Sequence, residues 1–201
     1  MTENERTLRV YEAKSDEYIA GTPPTMSTDV SDWIDRMIKY SPSGKILEIG
    51  SAFGREADFF ESKGYIVQRT DAAQSFVTLL KRNGHNAYSL NAITDDLKGP
   101  WALIFANCVF LHFSKGEFRK TLIKVLNSLD TGGVLGFAVK RGEGTQWHSQ
   151  KVGSPRFFQY WNQQELSFLL GETEFELLDI RDGITDGDSD KIYVIAKKPS
   201  T

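Results

Sequence analysis

A single cysteine, Cys108, stands in this chain of 201 residues. That excludes an intramolecular disulfide framework and a multi-cysteine metal site. Histidine is nearly as scarce: His85, His112 and His148 are scattered, without metal-ligand spacing, so no metal is expected. No stretch approaches 18 uninterrupted apolar residues, which argues against a membrane-spanning helix and a membrane partner. The opening "MTENERTLRVYEAKSDEY" alternates charges around no apolar core, unlike a secretory signal or transit peptide. A basic excess is also missing. Lys and Arg total 24 against 27 Asp and Glu, a formal charge of −3, which speaks against a dedicated nucleic-acid binder. Repeats and low-complexity tracts are absent as well. The expectation is a soluble, cytoplasmic protein.

What is present is an ordinary globular composition, 40% hydrophobic and 25% charged. A globule of this size buries about 70% of the surface its unfolded chain exposes, enough for one full core. One domain, 1–201, is therefore expected.

The periodicity alternates along the chain. "STDVSDWIDRMIKY" puts Val30, Trp33, Ile34, Met37 and Ile38 at helical spacing behind Ser27 or Thr28. "KILEIG" is a short strand-like run, and the helix after it ends at Gly64. "YIVQRT", a helix closed by Gly84, and "NAYSL" follow. "WALIFAN" is apolar throughout, as a strand buried on both faces of a parallel sheet would be. Ser114 and Glu117 fit a capping box, opening a helix with Leu122, Ile123, Leu126 and Leu129 on its inner face. "GGVLGFAVK" is the next strand; Asn162 and Glu165 open another helix, with Gly171 as its stop. "FELLDIRD" and "KIYVIAKK" flank a Gly/Asp-rich turn and read as an antiparallel hairpin. The β-α-β-α order implies an α/β fold, a mostly parallel sheet with helices on both faces and this hairpin at its end. Ligands of such sheets bind beyond the C-terminal strand ends, which directs attention to the first βα turn.

That turn reads "KILEIGSAFGREADFF". A dinucleotide fingerprint needs glycine at 50, 52 and 55, but alanine holds 52 and arginine holds 55. No Gly-Lys-Ser/Thr follows, so it is no P-loop either. Glu48, Gly50, Ala52 and Gly54 instead resemble motif I of the class I S-adenosylmethionine-dependent methyltransferases, acidic-x-Gly-x-Gly-x-Gly, with alanine at the middle glycine. Small residues there let a ligand lie against the main chain. Asp71 closes the second strand 21 residues after Gly50, "YSLNAITDDL" follows the third, and "WALIFANCVFLHF" resembles the family's motif IV with its Leu-His pair. "LDTGGVLGFAVKRGEG" resembles the family's Leu-x-Pro-Gly-Gly strand entry, and "YEAKSDEY" loosely resembles its cofactor-lidding helix. The resemblance runs from about Tyr11 to Lys198.

It implies a Rossmann-like seven-stranded sheet with S-adenosylmethionine as cofactor. Residues 1–43 would form cap helices, 44–140 the cofactor-binding half and 141–201 the substrate-side half. Asp71 would accept the ribose hydroxyls, or else simply cap the following helix. Arg55 would bind the cofactor carboxylate, or else sit as a solvated helix-face arginine. Glu48 would orient the turn or attract the cofactor's ammonium. Tyr18, Gly50, Ala52, Gly54, Ala72, Ala92, Ile93 and Asn107 complete the implied cofactor set.

His112 is the one histidine in a loop at a strand's C-terminal end and so the candidate general base. Tyr11, Tyr18, Phe110, Phe158, Tyr160 and Trp161 are candidates for an aromatic wall, with Phe113 read as core. Acceptor recognition is expected from Tyr11, Lys140, Arg141, Glu143 and Tyr160. The segment from Lys140 to Trp161 carries Lys140, Arg141, Lys151 and Arg156 against Glu143, favouring an anionic or polar small molecule. Methylation of a tRNA base or its modification, and a cofactor-binding protein without turnover, are the alternatives.

Overall fold

The glycine-bounded apolar runs become strands of one sheet. The computed structural model describes residues 1–185 and 189–200. Strands β1 (Lys45–Ile49), β2 (Ile66–Asp71), β3 (Ala87–Ser89), β4 (Trp101–Asn107) and β5 (Leu129–Lys140) all run parallel. A ribbon of β6 (Thr145–His148) and β7 (Arg156–Gln159) forms a separate antiparallel pair. Then β8 (Glu176–Thr185) and β9 (Ser189–Lys197) close the main sheet as the expected hairpin, with β9 antiparallel to β5. The turn expected between them falls on residues 186–188, outside the described residues. The seven-stranded order is β3-β2-β1-β4-β5-β9-β8, with a reversal between β1 and β4. Crevices at such reversals open beyond the strands' carboxyl ends.

Helices cover both faces. They are α1 (Glu3–Ala13), α2 (Ser15–Ala20), α3 (Thr28–Ile38), α4 (Arg55–Ser62), α5 (Gln74–Arg82), α6 (Lys115–Ser128) and α7 (Gln163–Glu172). Because strand side chains alternate, Leu103 and Phe105 of β4 join a layer with Trp33, Met37 and Phe60 of α3 and α4. Ile104 and Ala106 join the opposite layer with Phe118, Leu122 and Leu166 of α6 and α7. Capping boxes at Ser114/Glu117 and Asn162/Glu165 start α6 and α7 as their sequences predict.

Three local readings need correction. The buried face of α6 is Phe118, Thr121, Leu122 and Val125, while Ile123 is exposed. A helix turns 100° per residue, so Ile123 points away from the side that Leu122 buries. Leu129 is not on α6 at all, since it opens β5. Gly171 lies inside α7, which continues to Glu172 before Glu174 adopts a left-handed φ of 63°. The "YEAKSDEY" segment is broken at Lys14 into the end of α1 and the start of α2.

Candidate active site

The turn after β1 doubles back tightly enough to demand small residues. Gly50 has φ 74°, and a Cβ there would stand 2.4 Å from Val109 Cγ2. Gly54 has φ 93° and caps α4, where a Cβ would meet Leu80 Cδ2 at 3.0 Å. Ala52 keeps a left-handed φ of 47° between them. Its amide donates to Asp71 Oδ2 at 2.9 Å, and the Ala73 amide donates to Asp71 Oδ1 at 2.9 Å. Asp71 thus braces both the turn and the entry to α5. Each carboxylate oxygen has a second lone pair to offer, and Asp71 lines the cleft above. Burial pushes its carboxyl up to about 6, against the pull of the Ala73, Ala52 and Ala72 amides.

That cleft is narrow, with a cavity volume of about 80 Å³. Tyr18, Gly50, Ala52, Asp71, Ala72, Ala92 and Asn107 of the expected cofactor set line it. Phe113, read as core, is buried in the same hydrophobic layer as Phe110 and Trp161, and it also lines the cleft. Gly54 and Ile93 do not line this cleft. Gly54 serves beneath the turn, and the Ile93 amide donates to Asn91 Oδ1 at 3.0 Å.

A second, larger cavity adjoins the first and shares Tyr11, Tyr18, Gly50, Ala52, Asn107, Cys108 and His112 with it. Glu48 and Arg55 face this one. Glu48 Oε2 is buried without a hydrogen-bond partner, and burial, then Glu56, pushes its carboxyl up to about 8. Arg55 is not a solvated side chain: it donates to the Pro23 and Thr25 carbonyls and pairs with Glu56 at 2.7 Å. Glu56 Oε1 also accepts from Asn107 Nδ2 at 3.0 Å, tying α4 to the end of β4.

His112 sits at the centre of a directed hydrogen-bond chain. Arg156 donates to Tyr11 Oη at 2.9 Å, and Tyr11 Oη lies 2.8 Å from His112 Nε2. His112 Nδ1 lies 2.6 Å from the Phe157 carbonyl, which can only accept. The proton is therefore on Nδ1, and Nε2 accepts from the tyrosine. Burial, reinforced by Arg156 and Lys140, pushes the imidazole down to about 3. It is neutral at physiological pH and its lone pair is occupied.

Of the residues expected to meet the acceptor, Tyr11 and Lys140 line the large cavity, while Arg141, Glu143 and Tyr160 do not. Arg141 reaches Asp182 at 3.3 Å, Glu143 is exposed, and Tyr160 donates to Gln146. Phe158 of the expected aromatic wall and Lys151 and Arg156 of the basic segment line the large cavity, and Asn91 lines the smaller one; the structure adds Lys191 and His148 to the first and Asn4 and Thr7 to the second. Away from these cavities, Asp58, Glu61 and His85 come within metal-ligand reach of one another. The Arg69 guanidinium bonds both carboxylates, at 2.5 Å and 2.7 Å, so the cluster is an ion-pair network.

No protein-family model and no curated protein matches the sequence. Solved structures do match. A methyltransferase from Methanosarcina mazei described as SAM-dependent superposes with a TM-score of 0.71 at 16% identity, covering 88% of this chain and 100% of its own. The architecture is that of the S-adenosylmethionine-dependent methyltransferases. The glycopeptide N-methyltransferase MtfA, complexed with S-adenosylhomocysteine, gives 0.69 at 12% identity over 87% of this chain and 88% of its own. The Burkholderia thailandensis 1,6-didemethyltoxoflavin-N1-methyltransferase, with 1,6-didemethyltoxoflavin and S-adenosylhomocysteine bound, gives 0.67 at 17% identity over 86% and 77%. At these identities the likeness is one of fold. Among the described residues no helix is long and apolar enough to cross a membrane.

Proposed function

We propose that this chain is a cytoplasmic S-adenosylmethionine-dependent methyltransferase acting on a small-molecule acceptor. The observation that carries the reading is the Gly50–Gly54 turn braced by buried Asp71, beneath two adjoining cavities, the larger with a volume of about 420 Å³. The residues fit the cofactor. Asp71 keeps lone pairs for two ribose hydroxyls, Ala92 and Phe76 offer an apolar wall for a base, and Glu48 Oε2 lacks a partner. Residues 44–140 would then hold the cofactor, 1–43 cap it, and 141–201 face the acceptor.

When bound, the cofactor supplies an electrophilic methyl group on a sulfonium. The chain's own contribution is orientation and exclusion of water, which suffice for much of the rate of an in-line transfer. Helix α1 and the β6–β7 ribbon roof the site: Thr7 Oγ1 accepts from the Phe157 amide at 3.1 Å, and Asn91 donates to Asn4 at 3.2 Å. Strain supports the same location. Among the described residues five non-glycine residues have left-handed backbone, and three of them, Ala52, Cys108 and Lys151 with φ of 47°, 61° and 75°, line the cavities, while Lys98 and Glu174 lie elsewhere. His112 acts here as a positioning residue for Tyr11, since its lone pair is occupied. The toxoflavin-precursor methyltransferase shows this fold serving a small heterocycle, and the negative overall charge disfavours tRNA.

The test is transfer of labelled methyl from S-adenosylmethionine into a fractionated cell extract. Label in the small-molecule fraction is expected. Label only in tRNA, or in no fraction while S-adenosylhomocysteine binds, would overturn the small-molecule reading or the enzymatic one respectively.

A further inference from the structure

Helices α6 and α7 lie side by side and run in the same direction. Near their starts Lys115 Nζ donates to Glu165 Oε1, and further along Arg119 Nε meets Glu172 Oε2 at 3.8 Å. These pairs hold the two helices level and leave a basic row on α6 beside an acidic row on α7. Phe168 stands between the two glutamates of α7. It is 69% exposed, the one exposed phenylalanine among the described residues. Ile123, one turn beyond Arg119, is exposed as well.

Two glycines bare the helix backbone on the same face. Gly116 lies between Lys115 and Arg119, and Gly171 follows Phe168 by about one turn. A Cβ at either place would meet nothing within 4 Å. The fold itself therefore makes no steric demand for glycine there, although glycine is a poor helix former. The cleft does not account for this face either, since none of these residues lines the two cavities.

An exposed apolar group rimmed by charges marks an interaction surface, and here the charge rows select the partner. A basic row beside an acidic row is complementary to itself. Under a two-fold axis parallel to the helices, α6 of one copy lies over α7 of the other at the same level. Basic then meets acidic twice. Phe168, level with the span between Lys115 and Arg119, comes down on the bare backbone at the partner's Gly116. A two-fold axis across the helices would instead stack α6 on α6 and oppose like charges, which disfavours that arrangement.

We propose that this face of α6 and α7 is the interface of a homodimer, anchored on each side by Phe168. The inference does not depend on the methyltransferase reading.

Sedimentation equilibrium of the full chain over a concentration series tests it. A reversible species of twice the chain mass is expected. Phe168→Glu should weaken association at least tenfold, because it places a charge at the anchor. Arg119→Glu should weaken it by a similar factor, and adding Glu172→Arg to that variant should restore most of the loss by re-forming the pairs in reversed sense. Circular dichroism should be unchanged in all three variants, since the altered side chains are exposed. A monomer at every concentration would overturn the proposal, and so would a dimer that Phe168→Glu leaves intact. Tighter association of Arg119→Glu would overturn it too, because that is the outcome expected of α6 stacked on α6.

Discussion

Tyr11 donates a hydrogen bond from its phenolic O–H to His112 Nε2 across 2.8 Å, although the two lie 101 positions apart in the chain. This bond fastens the N-terminal helix to the loop after β4 and decides what the histidine can do. An imidazole held neutral, with its lone pair engaged and Nδ1 bonded to the Phe157 carbonyl, positions a neighbour and does not take up a proton.

The consequence for stability has a definite sign. The folded-state pKa of His112, about 3, lies below its ordinary value of 6.5. The neutral imidazole's contribution is therefore present above pH 6.5 and is lost as pH falls towards 3. His112→Gln removes this titration. The stability advantage of the unaltered protein over the variant should shrink by about 2 kcal/mol between pH 7.5 and pH 5, measured by urea unfolding. A constant difference across that range would show that His112 is free to protonate in the folded state.

Glu48 gives the opposite trend. Its folded pKa is raised from 4.5 to about 8, so the fold favours the protonated acid. That contribution is full below pH 4.5 and is lost as pH rises through 8. Glu48→Gln keeps the shape without the charge. Its melting temperature should gain on the unaltered protein progressively from pH 5 to pH 8 and level off beyond. A pH-independent difference would place a partnered, ionised carboxylate at this position.

These two residues also show what was legible in the sequence and what was not. The sheet could be read because apolar runs such as 101–107 are buried on both faces and carry their own signal. The cradle could be read because Gly50, Ala52 and Gly54 occupy positions where the backbone itself requires small residues. The roof was far less legible. The buried residues of α1 are Asn4 and Thr7, and they line the cleft beside Leu8 and Tyr11, so the inward face mixes polar and apolar side chains and shows no apolar stripe. The β6–β7 ribbon has four residues in each strand, too short for its alternation to stand out. Its pairing with α1 through Thr7 is a tertiary contact with no local signature. Arg141 and Glu143 were expected at the acceptor because they share a segment with Lys140. In the structure they miss the cavity, whereas Lys191, 51 residues further on, reaches it through β-register.

The central claim is that Asp71 and the turn it braces hold S-adenosylmethionine, and one titration tests it most directly. Asp71→Asn leaves one oxygen to accept a backbone amide and removes the charge that would fix the ribose. Calorimetry with S-adenosylhomocysteine should show binding to the unaltered protein and at least tenfold weaker binding to the variant, with the fold retained by circular dichroism. Equal affinity in the two proteins, or no binding to the unaltered one, would contradict the account.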